Sequence, residues 1–352
     1  MSSTTLAIAN REWATRPDDQ RFLSLQDLGD YVRERKEQSE EWDTILDNVE
    51  VTSFTYPRLL SFSRGGYDFT NYAFTQFATL VGAPPTYLRG LSPGLVEQNL
   101  NYGINENGEK PVKLLVSGED FRAVTSPTYG RIWDQEVVDL AQSINYNDRW
   151  KVPSATYSDT DPLRATTLYG SDRDTFMFLV DPEQAITVGE VELHRGFIMW
   201  NSEVGARRFG LMTFLYERVC DNRIIWGAKD VSQILIRHTK GAPDRFAKDI
   251  SSTLRAYAES GGDEYSQVVQ DAQKYVFAAA EMEPWLTARG FTEKEAIQSL
   301  DLAFSGEAGP GRPDSLWGAV QGLTKYAQSL PFNEDRFALE LRAGKLLDLV
   351  AA

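Results

Sequence analysis

A chain of 352 residues, 42% of them hydrophobic and 12% aromatic, is long enough for about two domains and too apolar to be disordered. Its net charge of −15 and pI near 4.7 argue against an indiscriminate grip on nucleic acid or anionic membrane, though not against a local basic channel. One cysteine and two histidines exclude an internal disulfide and a Cys/His zinc site, so a reducing cytoplasm fits and no metal or cofactor is expected.

Residues 1–20, MSSTTLAIANREWATRPDDQ, lack the basic start and apolar run of a signal peptide and read as a flexible leader. No run approaches the roughly 18 apolar residues of a membrane span. Ser24 caps a helix in SLQDLGDYVRERKEQSEEW, with Leu25, Leu28 and Val32 on one face and Asp27 in the capping-box position. VEVTSFTYPRLLSFS (49–63) alternates and is rich in β-formers, which predicts short strands. Residues 70–104 are helical: Thr70 caps, Gly82 stops the first helix and Pro85 begins the second. Their spacing echoes a helix-turn-helix. The second helix would offer only Arg89 to a phosphate before Ser92–Pro93 interrupt it, so a plain helix hairpin is the preferred reading.

From residue 112 the pattern turns to strands. VKLLVSGEDFRAVTS reads as a hairpin about Ser117–Asp120, DQEVVDLAQSI as an amphipathic helix, and LRATTLYG with TFMFLVDP as a pair around Gly170–Asp174. EVELHRGFIMW, RRFGLMTFLYERVC and SQILIRHT add further strands. After Gly241 helices are predicted over about 242–258, 264–282, 292–304, 314–329 and 334–350. The expected fold is α+β: a central, mainly antiparallel sheet between an N-terminal helical region and a C-terminal helical bundle. The divisions are 1–20 (leader), 21–110 (mixed or helical), 111–241 (β-rich) and 242–352 (helical).

Charge is uneven. Residues 191–250 hold ten Lys/Arg against seven Asp/Glu, while 1–60 hold seven against twelve and 256–310 three against ten. The centre is thus the one basic region of an acidic chain. No phosphate-binding glycine loop, EF-hand loop, nucleophile elbow or His-Glu-x-x-His helix is present, although a carboxylate-only site for magnesium or calcium stays open.

Three central stretches carry a resemblance. Asn201–Ser202–Glu203–Val204–Gly205 form an Asn-Ser-Glu-x-Gly turn, Cys220–Asp221–Asn222 contain a Cys-x-Asn pair, and Arg237–His238–Thr239 form a third motif. With SLWGAVQGLTKYA and YAFTQFATLVGAPPTYLRGL, they resemble the phage/plasmid-like protein family, domain of unknown function 932, over roughly 70–350. The resemblance implies origin in a bacteriophage, prophage or plasmid and no particular reaction. The Trp-His-Gly opening of many members has no counterpart in residues 1–20.

The rare residues then have two readings each. Cys220 and His238, on neighbouring strand candidates, could form a nucleophilic dyad in an enzyme of unrecognised type, but no oxyanion donor or pocket is legible. Their bland alternative is a buried thiol and a histidine hydrogen-bonded at a strand end. Tyr216 and Arg218 share a strand face, an aromatic–cation pairing suited to single-stranded nucleic acid, and Arg207, Arg208, Arg237 and Lys240 extend the strip. The alternative is arginines paired with Glu203, Glu217, Asp221 and Asp230 on a solvated edge. The favoured function is a non-enzymatic nucleic-acid-associated accessory of replication or recombination. The runner-up is a protein-interaction factor acting through the acidic C-terminal helices. Candidate partners are single-stranded nucleic acid, a host or phage protein and a second copy of the chain.

Overall fold

A computed structural model describes residues 18–53, 56–145, 147–152, 166–217, 222–224, 233–260, 263–330 and 333–351. After a short strand, β1 (Arg21–Phe22), the first helix, α1 (Leu25–Glu37), begins as its cap predicts, with the Asp27 N–H donating to Ser24 Oγ at 3.1 Å. It stops at Glu37 instead of running on to Trp42. The Glu-rich segment that follows is β2 (Ser39–Ile45), paired antiparallel with β6 (Pro111–Ser117) from Ser39↔Ser117 to Ile45↔Pro111. Helix propensity there yields to pairing against a strand that is buried along most of its length.

The first sheet has the order β2-β6-β7-β5-β4-β3, completed by β3 (Val49–Ser53), β4 (Pro57–Ser61), β5 (Gly65–Phe69) and β7 (Asp120–Thr125). All pairings are antiparallel except the brief β5–β7 contact. The predicted 112–126 hairpin therefore forms, but in the middle of this N-terminal sheet and not in the sheet of the later strands. The expected division at 110/111 runs through the sheet itself. A buried hairpin needs partners on both edges, and β2 and β5 supply them. Helices α2 (Asn71–Leu80) and α4 (Pro93–Glu106) pack on this sheet around Phe77, Leu88, Leu100 and Phe121. Between them α3 (Pro85–Leu88) is a single turn, so no recognition helix follows α2.

The second sheet has the order β1-β8-β9-β11-β12-β13, with β10 beside β11 and β14 beside β12. Its strands are β8 (Leu168–Gly170), β9 (Thr175–Val180), β10 (Ile186–Val188), β11 (Val191–Asn201), β12 (Phe209–Glu217), β13 (Asn222–Ile224) and β14 (Gln233–Ile236). Every pairing in it is antiparallel. Alternation along the strands sends Met177, Leu179, Phe197 and Leu211 into the large core shared with the helices, and Phe176, Phe178, Trp200 and Phe214 into a cluster on the opposite face. The fold is α+β.

Helix α5 (Asp134–Ile144) lies beside α1 on the large core. The C-terminal helices are α6 (Ala242–Arg245), α7 (Ser251–Glu259), α8 (Asp263–Lys274), α9 (Ala279–Thr287), α10 (Glu293–Ser305), α11 (Leu316–Gln328) and α12 (Asn333–Gly344). The helix predicted over 264–282 is broken. The Phe277 N–H donates to the Asp314 carbonyl, and the Leu316 N–H to that of Tyr275, both at 2.9 Å. The β-preferring Tyr-Val-Phe run takes these partners instead of continuing the helix.

Candidate functional site

The Asn-Ser-Glu-x-Gly segment is a turn between β11 and β12, with Gly205 at φ +84°. The Ala206 N–H donates to Ser202 Oγ at 2.9 Å, and Ser202 Oγ donates to the Arg173 carbonyl at 2.7 Å. The turn is buried: Asn201, Ser202 and Glu203 are each 1% exposed or less. A buried carboxylate needs cations and donors around it. Glu203 receives them from four places in the chain.

Arg122 comes from the first sheet. The β6–β7 ladder steps from Leu115↔Ala123 to Val116↔Phe121, leaving Arg122 as the extra residue of a bulge. Its Nη2 lies 2.8 Å from Glu203 Oε2. Arg35, on the buried face of α1 one turn after Val32, donates from Nη2 to Asp134 Oδ2 at 2.6 Å and lies 3.7 Å from Glu203 Oε2. Arg131 donates from Nη1 to the Glu203 carbonyl and from Nε to Glu41 Oε2 at 2.8 Å. Asp134 is the first residue of α5, and its N–H donates to Glu203 Oε1 at 2.9 Å, so the Glu203 side chain satisfies an orphan donor at that helix start. Asn201 Nδ2 donates to Asp134 Oδ1 at 2.7 Å and to the Ile132 carbonyl at 2.8 Å.

This seam ties both sheets to α1 and α5. Burial, with the Glu203 charge added, pushes the Asp134 carboxyl up to about 7. Burial works the same way on Glu203, but the Arg35 and Arg122 guanidiniums outweigh it and hold that carboxyl down to about 2. A polar cleft of about 300 Å³, with Tyr31, Ser117, Asp120 and Asp172 in its walls, reaches Arg35 and Arg122 from the surface. Sequence reasoning found Glu203 and missed its partners. The available signal was a charged residue set among apolar ones: Arg35 in line with Leu28 and Val32 on one helix face, and Arg122 flanked in the chain by Phe121 and Ala123.

The cations predicted to form one strip are divided. Arg207 is buried, with its Nε donating to Asp174 Oδ2 at 2.9 Å and its guanidinium 5.4 Å from the Phe176 ring, so it does not face solvent. The acid that binds it is Asp174, not the Glu203, Glu217, Asp221 or Asp230 expected. Arg208 is half-buried, and Arg237 and Lys240 are exposed. The pair Phe209↔Ile236 sets Arg208 across from Arg237 one step beyond the ladder. Among the described residues none of these three has an ion-pair partner.

His238 stacks on Tyr129 at 5.0 Å, and its Nδ1 donates to the Gly130 carbonyl at 3.2 Å. Burial, reinforced by Arg131, lowers its pKa to about 4. Arg218 and Cys220 lie outside the described residues, as do the side chains of Tyr216 and Asn222. The expected Cys220–His238 dyad therefore lies outside the described residues. Among the described residues no group of three or more His, Cys, Asp or Glu side chains is placed to hold a metal ion, and no helix is long and apolar enough to cross a membrane.

These features define a two-sheet α+β protein whose signature turn is locked into a buried charge seam. The chain belongs to the family described as Domain of unknown function (DUF932), which it matches over residues 123–332, a span that contains Arg131, Asp134, Asn201, Glu203 and His238. Arg35, Glu41 and Arg122 precede the matched span. No curated protein and no solved structure matches the chain.

Proposed function

We propose that this protein is a non-enzymatic nucleic-acid-associated accessory of a mobile element, holding a single strand at the Arg208–Arg237–Lys240 end of the β12–β14 pair. The observation that carries the reading is selective burial. In the same segment Arg207 is consumed by Asp174, while Arg208, Arg237 and Lys240 keep their charges without an acid partner among the described residues. Arg245 and Lys248 follow, exposed on the next helical turns. Screening limits the reach of the chain's distant acids to about 8–10 Å, so a local cationic group can hold phosphates on a protein of net charge −15.

The test is fluorescence anisotropy of labelled single- and double-stranded oligonucleotides against salt. Three neutralised phosphates on a single strand give a slope of roughly −2 in log affinity against log salt. No binding at low salt sinks the reading.

A protein-interaction factor is the second reading, and one surface favours it. Tyr275, Phe277 and Trp285 form an aromatic cluster with centroids 4.7–6.5 Å apart at the α8–α9 break, with Glu281 and Glu283 on the adjoining helix α9. Such a surface suits a basic protein segment better than a phosphate backbone. Capture of a basic peptide by this face, with no oligonucleotide bound, would favour it.

A further inference from the structure

A groove of about 620 Å³ lies on the first sheet, walled by Phe69, Phe74, Leu88, Leu91 and Val96. It contains no residue of the charge seam or of the Arg208–Arg237–Lys240 group. Its volume falls in the roughly 300–1,000 Å³ range of small-molecule sites, and its walls are mostly apolar, as in such sites. Tyr56, at its mouth, is 76% exposed, an aromatic ring left uncovered beside an apolar recess.

Two charged residues line the groove, and they differ. Asp68 is matched by Arg58 Nε at 2.7 Å. Arg89 has no acid partner among the described residues. It is held through one nitrogen: Nη2 donates to the Asn71 carbonyl at 3.1 Å, to Asn71 Oδ1 at 2.6 Å and to Thr75 Oγ1 at 2.8 Å. The guanidinium lies 5.1 Å from the Phe74 ring. These contacts fix its position and leave Nη1 and Nε without a hydrogen-bond partner among the described residues. The groove is therefore apolar with one oriented, uncompensated positive charge.

We propose that this groove binds a small organic anion with an aromatic or aliphatic body. The body packs between Phe69, Phe74, Leu88 and Leu91, and the anionic group accepts from Arg89. An extended peptide is disfavoured because the strands beside the groove, β4 and β5, are both internal to the sheet and offer no free edge for backbone pairing.

The probe is 8-anilinonaphthalene-1-sulfonate, titrated onto the full chain and followed by fluorescence, with N-phenyl-1-naphthylamine as its uncharged counterpart. Saturable one-to-one binding of the sulfonate is expected. Arg89→Gln weakens it by about tenfold or more, Arg89→Lys weakens it less, and the uncharged dye binds wild type and Arg89→Gln alike. An unchanged melting temperature of Arg89→Gln shows that the fold is intact. Absence of saturable binding, or equal sulfonate affinity in wild type and Arg89→Gln, overturns the proposal. Displacement of the dye by a single-stranded oligonucleotide also overturns it and makes the groove a base-stacking site. Oligonucleotide binding that leaves the dye in place is compatible with both this proposal and the separate nucleic-acid reading, so each can fail alone.

Discussion

Arg122 Nη2 lies 2.8 Å from Glu203 Oε2, joining a bulge in the first sheet to the turn that closes the β11–β12 hairpin of the second. Both side chains are almost wholly buried. Removing one member leaves the other charge without its partner away from water, so Glu203→Ala should cost about 3–5 kcal/mol, with Arg122→Ala in the same range. Urea denaturation reads this directly. A midpoint within error of wild type for both variants would mean that the seam carries no weight.

The same seam predicts how stability responds to pH. Burial and the Glu203 charge raise Asp134 from 3.8 to about 7, so the folded state keeps a proton that the unfolded chain releases. Its contribution is complete below about pH 4 and declines as pH rises through 7. Glu203 behaves oppositely. Burial opposes its charge, but Arg35 and Arg122 lower it from 4.5 to about 2, so its contribution is present above 4.5 and lost as pH falls through 2. Denaturation between pH 5 and 8 should show wild type losing stability towards pH 8. Asp134→Asn, which holds no ionisable proton, should lose less over that interval. Parallel profiles would refute the raised carboxyl.

Gly196 and Gly210 are packing positions in the second sheet. A Cβ at Gly196 would collide with the Phe214 ring, and one at Gly210 with the Trp200 ring. Both rings belong to the cluster on the face away from the large core. Gly196→Ala and Gly210→Ala should each destabilise by about 1–3 kcal/mol or more through overpacking, measured as a lowered melting temperature. A neutral effect at both would mean that these rings can shift aside.

Arg207 and Lys240 should separate stability from binding. Arg207→Ala removes the guanidinium paired with the buried Asp174 carboxylate and should unfold at lower denaturant by about 3–5 kcal/mol. The pair Arg237→Ala, Lys240→Ala, both at exposed sites, should stay within about 0.5 kcal/mol of wild type and lose oligonucleotide affinity. Equal affinity in wild type and the double variant would remove these side chains from the proposed interface.

His238 should stay neutral until pH falls to about 4, because burial and Arg131 disfavour its charged form. Its imidazole C–H resonances, followed by NMR from pH 8 to 4, check this. A midpoint near 6.5 would place the ring in water.

Sequence reading captured what is local. The Ser24 and Thr70 caps, the Ser117–Asp120 turn and the Gly170–Asp174 reversal all follow from short-range backbone chemistry. It failed where pairing partners are distant. Ser39–Trp42 looked like a continuing helix because nothing within the segment announces β6, more than sixty residues later. Tyr275–Phe277 looked helical because the carbonyl and N–H that break the helix belong to Asp314 and Leu316.

The sequence by itself determined that 201–205 is a tight reversal, since Asn, Ser and Gly supply the side-chain bonds and the left-handed dihedral such a turn uses. It also determined the α+β class, through the change from two-residue to helical periodicity after Gly241. Only the tertiary structure decided that this turn is buried and that Arg35, Arg122, Arg131 and Asp134 converge on Glu203. Only the tertiary structure decided that Arg207 turns inward to Asp174 while Arg208 and Arg237 have no acid partner among the described residues. The physical reason is the same in each case. A charged side chain takes its environment from whatever the fold packs against it, and for these residues that partner lies tens of residues away, beyond the reach of any local pattern.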